Sequence, residues 1–154
     1  MRRENEFLLS CFRSAFRRNE TVPLPGPVDW NRIVSLCEWH NVAPLVFRAL
    51  PAVLCGSVPP AAMNRVRSLH HSHTARSLFL ATELSRILQA FESSGIPAYP
   101  FKGPALSVML YGDPACRQSR DLDLLVPKET LHRAVKVLDA QGYRARNELA
   151  GPRL

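Results

Sequence analysis

Asp121 and Asp123 are the residues of this chain whose type and spacing speak most directly of chemistry. Side chains alternate along a strand, so carboxylates at i and i+2 share one face. Like charges held that close repel, and burying them is costly, so a shared cation is the natural compensation. Two Asp oxygens, with other positions left to phosphate oxygens and water, suit Mg2+. This is the arrangement that two-metal phosphoryl or nucleotidyl transfer needs. Ahead of the pair stands Lys102-Gly103-Pro104, a turn leading into a helix-like stretch. Pro104 suits a first-turn position, and the free N–H groups at such a helix start can bind an anion. Lys102 adds a mobile positive charge for a triphosphate. Arg117 and Arg120 flank the acids, and either can pair with Asp121 or Asp123 or reach a phosphate.

These residues need elements to position them. Leu124-Leu125-Val126 follows the acids directly and reads as a buried strand. Ile96 to Phe101 is a short strand candidate, weakened by Pro97 and Pro100. A helix begins near Pro104 and runs through Leu110, and Tyr111-Gly112-Asp113-Pro114 is a turn in which Asp113 is expected as the turn-former rather than as a further acidic ligand. Pro127 starts a last helix with Leu131, Ala134, Val135 and Leu138 on one face, ended by Gln141-Gly142. Tyr143 to Leu149 alternates as a third strand.

The chain before residue 95 is helical in pattern. Phe7, Leu8, Cys11, Phe12, Ala15 and Phe16 form one apolar face over about 4–18. The Pro-rich stretch 22–27 breaks it, and Asp29 N-caps a second helix that Trp39-His40-Asn41 closes. His40 is set aside as a cap or surface residue. Pro44 starts a short third helix through Leu50. From Pro60 to Ser93 runs the longest pattern, with Met63, Val66, His70, His73, Ser77, Leu80, Leu84, Ile87 and Phe91 along one stripe. Its middle is polar. His70 and His73 share a helix face, yet no carboxylate stands beside them and no H-E-x-x-H spacing occurs, so a structural or substrate-facing role is expected rather than a metal site.

The ordered set of Lys102-Gly103, Tyr111, Arg117 or Arg120 and Asp121-Leu122-Asp123-Leu124-Leu125-Val126 resembles the uncharacterised nucleotidyltransferase family of the DNA polymerase β-like superfamily. The likeness is good over about 96–128 and loose over the helical part. It implies an α+β fold: a helical N-terminal region over 1–94, then a partial nucleotidyltransferase core over 95–154 with a short mixed sheet. It also implies Mg2+ at Asp121 and Asp123, an NTP positioned by Lys102, Gly103 and Arg120, and transfer of a nucleoside monophosphate to an unknown acceptor, whether protein, RNA or small molecule. The turn departs from the superfamily's usual Gly-Ser, having Lys102-Gly103-Pro104 instead. A third carboxylate normally lies on a later strand, where Glu148 is the one late acid available. Members continue beyond this point, so the chain is expected to be a truncated product, a fragment or a frame that ends early.

Composition sets outer bounds. The 154 residues are 46% hydrophobic and 21% charged, which is globular rather than disordered. A net charge of +7, almost all of it from Arg, favours an anionic partner, although its even spread is also explained by solubility. Cys11, Cys37, Cys55 and Cys116 lack C-x-x-C spacing and are expected to be reduced thiols in a cytoplasmic protein. No apolar run approaches the roughly 20 residues of a membrane span. Two other classes stay open: a catalytically inactive nucleotide-binding remnant acting through protein partners, and a basic RNA-binding module.

Overall fold

The computed structural model describes residues 3–16, 22–23, 26–50 and 58–144. The element order is α1 (Arg3–Phe16), α2 (Trp30–His40), α3 (Ala43–Ala49), α4 (Pro60–Ser93), β1 (Tyr99–Pro100), α5 (Gly103–Tyr111), β2 (Leu124–Leu125), a 3-10 turn (Lys128–Thr130) and α6 (Leu131–Ala140). The fold is α+β. Among the described residues the sheet is a two-stranded antiparallel ladder, with Tyr99 opposite Leu125 and Pro100 opposite Leu124. The third strand expected from Tyr143 begins as irregular backbone at Tyr143 and Arg144, and its remainder lies outside the described residues. Both strands are shorter than the apolar runs suggest. Pro97 and Pro100 lack the N–H that a longer ladder would use.

The helical elements form where local chemistry stops and starts them. The Asp29 carboxylate accepts from the N–H groups of Asn31 at 3.0 Å and Arg32 at 3.2 Å, capping α2. At its other end Asn41 adopts the left-handed region (φ 57°) and its N–H bonds back to α2 carbonyls, a conformation Asn tolerates better than most residues. Phe7, Leu8, Cys11, Ile33, Cys37, Ala43, Val46 and Val66 build one buried cluster from α1, α2, α3 and the first half of α4. Burial pushes the Cys11 and Cys37 thiols up to about 12, so both stay protonated. Cys116 is also free and buried, and Cys55 lies outside the described residues.

Helix α4, about 50 Å long at 1.5 Å per residue, extends from this cluster to a second one. There Ile87 and Phe91 meet Ile96 and Ala134, with Leu122, Leu124 and Val126 packed against them. A polar knot ties α4 to the chain after α6. Arg86 donates to Glu83 at 2.8 Å and to the Tyr143 hydroxyl at 3.2 Å, and that hydroxyl donates to Glu83 at 2.5 Å. The Arg86 guanidinium holds the Glu83 carboxyl below the usual carboxylate range.

Between its two apolar ends α4 carries His70, His73, Thr74 and Ser77. The Ser77 hydroxyl donates to the Arg117 carbonyl at 3.5 Å, which sets this polar stretch against the loop before the acidic pair. His70 stacks on Phe47, with ring centroids 4.4 Å apart. The Nδ1 atoms of His70 and His73 are buried without a hydrogen-bond partner among the described residues, and no group of three or more His, Cys, Asp or Glu that could hold a metal ion occurs among those residues.

Two predictions follow from this packing. Phe91→Ala empties the centre of the second cluster, and denaturant unfolding is expected to show a loss of about 3–5 kcal/mol. Burial holds His70 and His73 below the ordinary histidine value of 6.5. The unfolded chain therefore binds more protons than the folded one as pH falls past 6.5, and stability present above that pH is lost through the lower folded values. Thermal unfolding is expected at lower temperature at pH 5.5 than at pH 7.5, with the slope flattened in His70→Gln/His73→Gln.

Candidate functional site

The hairpin register assembles the site. After the paired Tyr99–Leu125 and Pro100–Leu124 positions, the Phe101 N–H donates to the Asp123 carbonyl at 3.0 Å. Continuing the same register sets Lys102 beside the acidic pair and Gly103 across from Asp121. The acids sit just ahead of β2 rather than within it, Asp121 at a bend and Asp123 in irregular backbone. Alternation is kept: Leu122, Leu124 and Val126 pack into the second cluster, which turns Asp121 and Asp123 the other way. The Lys102 ammonium lies 3.6 Å from an Asp123 carboxylate oxygen. Both side chains are about half exposed, so the pair is screened and contributes little to stability.

Gly103 opens α5 with φ +65°, a value L side chains rarely adopt. A Cβ there would stand 3.4 Å from the Asp121 carbonyl oxygen. That is an ordinary van der Waals distance, so it is the left-handed φ rather than crowding that calls for glycine here. No side chain caps the helix start at Lys102, so its first N–H groups are open to an anion.

The loop between α5 and the acids is held from several sides. The Ser107 hydroxyl, fully buried, donates to the Asp113 carbonyl at 2.7 Å and accepts from the Arg117 N–H at 3.1 Å. Asp113 accepts from the Ala115 N–H at 2.8 Å, the turn-forming role its position implies. From α3, the Arg48 guanidinium donates to the Cys116 sulfur at 2.9 Å and to the Tyr111 carbonyl at 3.4 Å. Residues 60 positions and more apart in sequence thus fix the loop.

A pocket of about 250 Å³ lies at this junction, lined by Lys102, Gly103, Arg120, Asp121 and Asp123, with Arg117, Gln118, Ser119 and Asn41. All five residues singled out from the sequence are on its wall. Its charged side chains are three cations and two carboxylates. Neither Arg117 nor Arg120 pairs with an acid among the described residues; Lys102 does so instead, because the register brings it nearest. Glu148 lies outside the described residues. Sequence reasoning missed Asn41, Gln118 and Ser119. Asn41 carried a helix-closing signal, but nothing local says that the end of α2 reaches this pocket.

Asp121 and Asp123 are the pocket residues that could hold Mg2+, an ion usually bound by one or two carboxylates with substrate phosphates and water. Among the described residues no helix is long and apolar enough to cross a membrane.

Comparison with known proteins identifies one family. Residues 26–151 match the family model described as "Uncharacterised nucleotidyltransferase". No curated protein and no solved structure gives a match. The family match takes in α2 through α6, and with them the turn, the acidic pair and every other residue of the pocket wall. The chain belongs to the uncharacterised nucleotidyltransferase family.

Proposed function

We propose that the chain binds a nucleoside triphosphate in the pocket between the Lys102-Gly103 turn and Asp121-Leu122-Asp123, and transfers its nucleoside monophosphate to a hydroxyl group of an acceptor. One observation carries this reading: two carboxylates, an uncapped helix N-terminus and three cationic side chains converge on a single pocket. Each suits one part of a magnesium triphosphate.

In this reading Asp121 and Asp123 hold Mg2+. When bound, the ion stabilises charge developing on the attacking oxygen and on the leaving pyrophosphate. Gly103 lets phosphate oxygens approach the backbone at the start of α5, where free N–H groups donate to them. Lys102 sits on a flexible four-carbon stem, and it exchanges Asp123 for a triphosphate oxygen as the nucleotide enters. Arg120 adds a planar donor fork suited to phosphate. The identity of the acceptor sets the biological role.

Calorimetric titration with a non-hydrolysable NTP, with and without Mg2+, tests the site. Mg2+-dependent binding is expected in the wild-type chain and is expected to fall at least a hundredfold in Asp121→Asn/Asp123→Asn. Absent binding, or binding indifferent to that variant, sinks the assignment. A steep salt dependence that ignores both acids would point instead to an RNA-binding module. Lys102→Met carries a prediction of two opposite signs. Loss of the ammonium is expected to weaken the NTP analogue by about tenfold. It is also expected to tighten Mg2+ alone, since no side-chain cation then competes for Asp123.

A further inference from the structure

Ser119 holds a hydroxyl for which the folded chain has no use. The residue is only 7% exposed, and its Oγ has no hydrogen-bond partner among the described residues. Buried hydroxyls are normally paired, and the other buried serines of this region follow the rule. Ser107 bonds to Asp113 and Arg117, and Ser77 bonds to Arg117. Ser119 lines the pocket, and its Oγ would lie 3.7 Å from a Cβ on Gly103. It therefore sits over the first residue of α5, a nine-residue helix whose N-terminus has no side-chain cap. Beside it Gln118, also on the pocket wall, has a buried Oε1 that is likewise without a partner. Of these two wall atoms only the Ser119 hydroxyl can donate, since Gln118 Oε1 is an acceptor, and the other unpartnered buried atoms among the described residues, on Arg32, His70, His73 and Thr74, lie off the pocket wall.

We propose that Ser119 is a further substrate-binding residue of this pocket, its hydroxyl donating to a phosphate oxygen seated at the N-terminus of α5. The proposal rests on the nucleotide-binding reading above and names one more contact within it. A serine hydroxyl has one proton to donate, and a triphosphate oxygen is an acceptor that strengthens the bond by its charge. In the free chain the hydroxyl lies against the Gly103 turn. Rotation about χ1 between staggered wells brings it to the phosphate. A side chain kept for a ligand leaves its cost in the unliganded fold, and this gives the test a readout that a structural serine would not share.

The full-length chain is compared with Ser119→Ala in two measurements. The first is thermal unfolding without ligand. The second is calorimetric titration with a non-hydrolysable ATP or GTP analogue plus Mg2+, and with inorganic tripolyphosphate. Ser119→Ala is expected to unfold at the same temperature as wild type or higher, because it removes an unpaired buried polar group. It is expected to bind both probes about tenfold more weakly, the usual effect of losing one charge-assisted hydrogen bond. Binding within twofold of wild type overturns the proposal and leaves the nucleotide reading standing. A clear fall in unfolding temperature of the free chain, or a loss confined to the nucleotide analogue with tripolyphosphate unaffected, also overturns it. A wild-type chain that binds neither probe refutes the parent reading instead.

Discussion

The site depends on one packing event: Leu122, Leu124 and Val126 inserting into the cluster built by Ile87, Phe91, Ile96 and Ala134. Three apolar side chains on alternate positions choose which way the segment faces, and the hydrophobic effect makes that choice non-negotiable. Asp121 and Asp123 point to the pocket because their neighbours cannot. The antiparallel register then adds the turn, bringing Lys102 and Gly103 against the same acids. A few short hydrogen-bonded positions thus set the relative placement of the chemical groups, while the energy that holds them comes from apolar burial behind.

Helix α4 gives that cluster its footing. It shares Val66 with the core of the N-terminal helices and Ile87 and Phe91 with the cluster behind the acids. Between them its polar stretch accepts the loop of residues 113–120, which could not be buried against an apolar helix without leaving backbone groups unpaired. Arg48 of α3 reaches the same loop from another side. The N-terminal helices therefore act on the pocket mechanically, by fixing the loop that carries Arg117 through Arg120, and directly, through Asn41.

Much of this was legible in the sequence where the signal was local. The span of α4, the Asp29 cap, the Pro104 helix start and the acidic pair each rest on residues close together in the chain. The five residues singled out for the site share one pocket because the antiparallel pairing of β1 with β2, which the sequence order did not state, brings the turn against the acids. The extent of the strands was not legible. Apolar runs at 96–101 and 124–126 suggest more ladder than forms, since Pro97 and Pro100 withhold donors. Partners of the Arg residues were not legible either. The sequence left Arg117 and Arg120 open to pair with the acids or to reach a phosphate, and register gave the contact with Asp123 to Lys102. Asn41, Gln118 and Ser119 reach the pocket through tertiary contact, which no periodicity encodes. The expected Glu148 contribution falls outside the described residues.

The alternation around the acids also governs how the gene can change length. One residue added or removed between Asp121 and Val126 would drive a carboxylate into the Phe91 cluster and swing leucines into the pocket, so both core and chemistry would fail together. The loop of residues 112–120 is less constrained in direction but is pinned by Ser107, Asp113 and Arg48, which leaves few positions where extra length can bulge outward. A change of length is therefore costliest between Asp121 and Val126, where the alternation that faces the acids to the pocket would be lost.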